Sequence, residues 1–132
     1  MGLREIELLV DVCQKGWALR YLREAIDEIK IARRDSRAFD LIFDALRKAE
    51  IAVYYSLGEP SLIDSIVNEA LEGGIMPSNP ILKYLVEMKK SINILESMIH
   101  ERIDDKSLKE LDRIISMASK IIDLMTSLCT ED

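Results

Sequence analysis

One side chain in these 132 residues ordinarily titrates near neutral pH: His100, the only histidine. It is therefore the one ready-made general acid or base of the chain. Glu96 stands four residues before it, close enough on a helix to share a face and hold a metal ion with it. Two such ligands make an incomplete site, and a surface ion pair is the plainer reading of the two side chains. The remaining carboxylates read as solvent-facing, with Lys or Arg nearby. The double glycine Gly73-Gly74 lacks both the preceding strand and the following GK[ST] of a phosphate-binding loop. There is no nucleophile elbow, no zinc pattern, and no inward Glu-x-x-His pair of the kind a dimetal bundle uses. No cofactor and no metal site are expected.

Positive charge is the other candidate for function. Arg33, Arg34 and Arg37 surround one turn, and Arg20, Arg23 and Lys30 precede them on the outward side of a helix, interrupted by Glu24 and Asp27. The plain reading of the first three is cationic charge at a helix C-terminus, which offsets the dipole. The functional reading of all six is a docking stripe for a phosphate or an acidic partner. The net charge of −6 disfavours free-standing attachment to a nucleic-acid backbone. The charge is uneven, because residues 59–80 hold Glu59, Asp64, Glu69 and Glu72 with no Lys or Arg.

The elements that position these groups are helices. The stretch DSRAFDLIFDALRKAEIAVYYSLGEP, residues 35–60, organises the rest. Asp35 or Ser36 can cap its start, Asp40 suits the first turn, and Gly58 followed by Pro60 closes it in a left-handed conformation. Its apolar residues cover most of the circumference, so the spacing predicts a central helix enclosed by others. Before it, Leu3, Ile6, Val10 and Cys13 form one amphipathic stripe and Ala18, Leu22, Ala25, Ile29 and Ala32 a second. Gly16 separates two helices there or bends a single one. After it, Ser61-Leu62-Ile63-Asp64 reads as a capping box opening a short helix that ends at Gly73-Gly74. Asn79 and Pro80 start the next helix, whose stripe runs from Ile81 through Leu85, Met88, Ile92, Leu95 and Ile99 to Ile103. A turn at residues 104–106 and a capping box at Ser107-Leu108-Lys109-Glu110 lead into the last helix. These final two helices predict an antiparallel hairpin. Its Met88, Met98, Met117 and Met125 are either ordinary core or adaptable interface side chains. Of Tyr54 and Tyr55, at least one is expected to hydrogen-bond from an apolar setting.

The fold class is accordingly all-α: residues 1–132 form a single-domain bundle of five to six helices. A hydrophobic content of 48% and a charged content of 32% are those of a globular protein. No apolar run approaches the ~20 residues that span a membrane. The acidic residues near the start exclude a signal peptide, and Glu7 sits where a myristoylation motif wants Ser or Thr. A cytoplasmic location follows as the expectation. Cys13 and Cys129 read as two buried thiols, or as a disulfide tying the first helix to the last. Gln14 is the only glutamine while Ile, Lys, Arg and Glu are abundant, which leans towards a thermophilic source.

Three stretches resemble the HEPN superfamily of small helical bundles, and within it the branch encoded beside minimal nucleotidyltransferases. AFDLIFDALRKAEIAVYYSLGEPS is similar to the family's long central helix and the Gly-containing turn after it. NEALEGGIMPSNPILKYLVEMKKSINIL is similar to the stretch that approaches the family's active site. IHERIDDKSLKELDRIISMASKII is similar to the stretch from the family histidine into the last helix. The resemblance covers roughly residues 18–128 and is one of pattern. The family's ribonuclease motif places Arg four to six residues before His. His100 matches the His, but Leu95, Ile94 and Asn93 occupy the positions where the Arg belongs. Lys89 and Lys90 lie too far upstream, and Arg102 follows the His. RNA cleavage without a metal needs a base for the 2′-OH and a cation for the phosphate. The missing Arg argues against an intact nuclease.

The resemblance thus implies a non-catalytic interaction module that binds a protein partner, such as a minimal nucleotidyltransferase, and forms a homodimer. One alternative is a ribonuclease toxin using His100 with a rearranged cation. The other is a small helical structural subunit of a nucleic-acid-processing complex.

Overall fold

The structure is a computed structural model and describes residues 14–35, 37–74, 77–99 and 103–128, apart from the side chain of Phe39. Among the described residues five helices follow one another: α1 (Lys15–Arg34), α2 (Phe39–Leu57), α3 (Pro60–Gly73), α4 (Pro80–Met98) and α5 (Asp105–Leu128). No strand occurs among the described residues. The chain is an all-α helical bundle. Residues 3–13 of the predicted first helix, Cys13 among them, fall outside the described residues, as do Ser36, His100, Arg102 and Cys129.

Helix α2 packs against each of the other four. From Leu41 to Gly58 only Arg47 is exposed, as a helix with apolar residues around most of its circumference requires. Its pairing with α1 is the most extensive in the bundle. Small residues allow that approach: Ala18, Ala25 and Ala32 of α1 and Ala45, Ala49 and Ala52 of α2 are all buried. Polar groups pin the same pair. Lys48 of α2 meets Glu28 at 2.9 Å, Asp44 at 3.2 Å and Glu24 at 3.3 Å. Burial first, and then neighbouring Asp44, pushes the Glu28 carboxyl above the ordinary carboxylate range. Asp44, hydrogen-bonded by Glu28 and Lys48, falls below it.

Helices α4 and α5 are the antiparallel hairpin. Tyr84 near the start of α4 donates to the Met117 carbonyl at 2.9 Å, and Ser91, a turn or two later, receives Arg113 at 2.5 Å. The two contacts run in opposite directions along the two helices. Met88 and Met125 are core residues, and Met98 and Met117 are half-buried.

Several boundaries differ from those the sequence suggests. Helix α1 starts at Lys15 and takes Gly16 into its first turn. Asp35 does not cap α2: its carboxylate accepts the Arg37 N–H at 3.0 Å, and α2 begins after Ala38, which makes no side-chain cap. Gly58 does have positive φ, 154°, but its ψ of −131° is the mirror-extended region and not the left-handed helical one. The cap of α3 is Glu59, whose side chain accepts the Ser61 N–H, with Pro60 as the first helical residue. Ser107 is likewise no cap. It is buried in the first turn of α5 and donates its N–H to Asp104 Oδ1 at 2.8 Å. Helix α4 ends at Met98, yet Ile99 and Ile103 beyond it remain buried, so the apolar stripe outlasts the helical backbone. Asn79 caps α4 as expected, accepting from Ile81 and Leu82 at 3.0 Å each.

Candidate functional site

The six basic residues singled out from the sequence divide into two groups. Arg33 turns onto Asp112 of α5, Arg37 folds back on Asp35 at 3.5 Å, and Arg20 meets Glu24 at 3.2 Å. Arg23, Lys30 and Arg34 are exposed and make no ion pair among the described residues. Positions 20, 23, 27, 30 and 34 are spaced by three and four, so they form one stripe along α1, and it includes Asp27. Alongside run Trp17 and Ile31, which are 46% and 52% exposed. The Arg20 guanidinium lies 5.4 Å from the centre of the Trp17 ring. Behind Trp17 stand Tyr21 and Tyr55, their rings stacked 5.7 Å apart. This ladder fixes the Trp17 end of α1 against the end of α2, where the Gln14 N–H also donates to the Tyr55 carbonyl at 2.9 Å.

A second polar assembly lies on the other side of α2. A cleft of about 390 Å³ opens between α2, α3 and α4. From α2 it takes Arg47, Glu50, Ile51 and Tyr54, which share one face at three- and four-residue spacing. Helix α3 contributes Pro60, Ser61, Asp64 and Asn68, and α4 contributes Lys89. Lys89 Nζ donates to Glu50 Oε2 at 2.9 Å, and Asn68 donates to Asp64 at 3.2 Å. Glu50 is not one of the solvent-facing carboxylates expected from the sequence. Burial is the main force raising its pKa, the Lys89 charge opposes it, and Asp64 and Glu96 add to it.

Tyr54 is the only fully buried residue of this lining, at 2% exposure, and so forms its innermost wall. Its hydroxyl makes no hydrogen bond to another described residue. Burial, and then the negative charges of Glu50 and Asp64, suppress its acidity, so the phenol keeps its proton; the Glu50 carboxylate contributes without closing a hydrogen bond to it. Among the described residues, the tyrosine hydroxyl with a partner is that of Tyr84 in the hairpin.

The described residues contain no group of three or more His, Cys, Asp or Glu side chains able to hold a metal ion. No described helix is long and apolar enough to cross a membrane. His100 lies outside the described residues, and Glu96, four residues before it, is exposed. The α2–α3–α4 cleft was not found from the sequence. Its only local signal is Glu50 and Tyr54 one helical turn apart within an otherwise apolar helix. Comparison with protein-family models, with curated proteins and with solved structures finds no match.

Proposed function

We propose that this chain is a non-catalytic, HEPN-like helical interaction module that docks a protein partner, such as a minimal nucleotidyltransferase, and self-associates. The observation that carries this reading is the outer face of α1. Trp17 and Ile31 stand exposed beside Arg23, Lys30 and Arg34, three cations with no acid partner among the described residues. Tryptophan and arginine are the residue types that anchor protein interfaces, where an aromatic centre is ringed by polar contacts. Two side chains of this face are already held in place: Trp17 by the ladder of Tyr21 and Tyr55, and Arg20 by Glu24. A side chain fixed before binding loses less freedom on binding. The surface suits a partner with an apolar centre and an acidic rim. Glu24 and Asp27 within the stripe, and the net charge of −6, weigh against a phosphate backbone as its ligand.

The test is native capture from a lysate of the source at moderate salt, identifying protein and nucleic acid together. The expected result is a nucleotidyltransferase retained by the wild-type chain and lost when Arg23→Glu, Lys30→Glu and Arg34→Glu are combined. RNA in its place, or a partner indifferent to the three substitutions, overturns this reading.

A further inference from the structure

The cleft between α2, α3 and α4 holds chemistry that the α1 face does not use. It has a fixed alternation of charge. Arg47 stands exposed with no ion pair among the described residues, and Lys89 is held at 2.9 Å by Glu50. Opposite them on α3 is Asp64, joined by Asn68 at 3.2 Å. The innermost wall is a phenol whose hydroxyl is buried and unbonded. A buried hydroxyl without a partner destabilises the fold, and most buried polar groups in native proteins have one.

We propose that this cleft binds a small zwitterion of the amino-acid type, with its carboxylate towards Arg47 and Lys89, its ammonium towards Asp64, and the Tyr54 hydroxyl as its innermost hydrogen-bond partner. The charges select this class. A ligand that is only anionic is repelled by Asp64 and Glu50, and one that is only cationic by Arg47 and Lys89. A zwitterion satisfies both signs, and charged hydrogen bonds are the strong ones. The volume of about 390 Å³ is at the small end of ligand pockets and suits a molecule of this size. Ile51 and Pro60 give a side chain of the ligand an apolar wall. The suppressed acidity of Tyr54 keeps its hydroxyl available as a donor. The cleft and the α1 face share no residue, so either can stand without the other.

The test is thermal unfolding of the whole chain with each standard amino acid at millimolar concentration, followed by calorimetric titration of any that stabilises it. The expected result is a saturable rise in Tm with at least one amino acid, lost when its amine is acetylated and lost when its carboxylate is esterified. Arg47→Ala, an exposed position, should weaken binding about tenfold or more. Tyr54→Phe should weaken it about three- to tenfold while leaving the unliganded Tm unchanged or higher, because no hydrogen bond is lost. The proposal is overturned if no amino acid raises Tm, or if the blocked derivatives bind as well as the parent. It also falls if Tyr54→Phe lowers the unliganded Tm and leaves affinity intact, which assigns the hydroxyl a structural role.

Discussion

Glu50 and Lys89 form the ion pair most withdrawn from water among the described residues, with side chains 13% and 20% exposed. Taking two charges out of water costs several kcal/mol per ion, and their attraction offsets this only when both remain in place. Burial leaves Glu50 with a raised pKa despite the cation beside it. For an acid whose folded-state pKa is raised, the native state holds the proton more tightly than the unfolded chain does. The associated stability is therefore full below the ordinary value of 4.5 and is lost as pH rises through the raised one. Removing the cation alone should make this worse. Lys89→Met is expected to cost about 2–3 kcal/mol at neutral pH, below the range for fully buried pairs because both groups keep some exposure. The cost should shrink as pH falls towards 4.5, where Glu50 takes up its proton. Glu50→Leu combined with Lys89→Met should restore stability to within about 1 kcal/mol of the parent. Urea unfolding of the three proteins at the two pH values measures this. A loss for Lys89→Met that is equal at both would mean that the lysine acts through its hydrocarbon stem and not its charge.

Two glycines separate what a helix end needs from what a helix tolerates. Gly58 closes α2 at φ 154° and is itself buried, in a region of backbone space that is almost closed to other residues. Gly16 sits in the first turn of α1 with nothing within 4 Å of where a Cβ would stand. Gly58→Ala should therefore destabilise by about 1–3 kcal/mol, and Gly16→Ala should be neutral or stabilise by up to about 1 kcal/mol. Chemical denaturation of the two variants checks the contrast, and equal losses would contradict it. Existence and type of the elements were legible in the sequence because they follow from long-range periodicity. The enclosed α2, the hairpin and the Asn79-Pro80 start all stand where the spacing puts them. The caps were harder to read because each boundary offers several short polar residues. Asp35 and Ser36 compete at one, Glu59 and Ser61 at the next, Asp104 and Ser107 at the last. The direction in which the chain enters the helix decides among them, and that direction is set by packing. The cleft escaped for a related reason. Arg47, Glu50 and Tyr54 come from one helix, Asp64 from a second and Lys89 from a third, and no local spacing joins them. Glu50 has Lys48 two residues before it, which made it look like a surface carboxylate.

Charge is distributed over the whole molecule in a way that bears on self-association. The cations Arg23, Lys30 and Arg34, which make no ion pair among the described residues, lie along α1, which packs against α2 and α5. The exposed acids Glu69 and Glu72 lie on α3, which packs against α2 and α4, within a segment that has no Lys or Arg at all. The two faces thus belong to different flanks of the central helix, and the basic face of one chain is complementary to the acidic face of another. In a two-fold dimer that contact occurs twice. Exposed charges are screened over about 10 Å at 0.1 M salt, so an association built on them weakens as salt rises. Sedimentation of the wild-type chain should show a dimer at about 0.05 M salt that dissociates towards about 0.5 M. Glu69→Lys with Glu72→Lys should abolish that dimer, and so should reversal of the three cations of α1. Mixing these two variants should restore a dimer as a heterodimer, because one of its two contacts keeps the native signs and the other has both signs reversed. Combining all five substitutions in one chain swaps the signs on both faces and should bring the dimer back. A dimer that persists through high salt and through every reversal would place the contact on exposed apolar groups instead, such as Ile94 of α4 or Leu124 and Leu128 of α5.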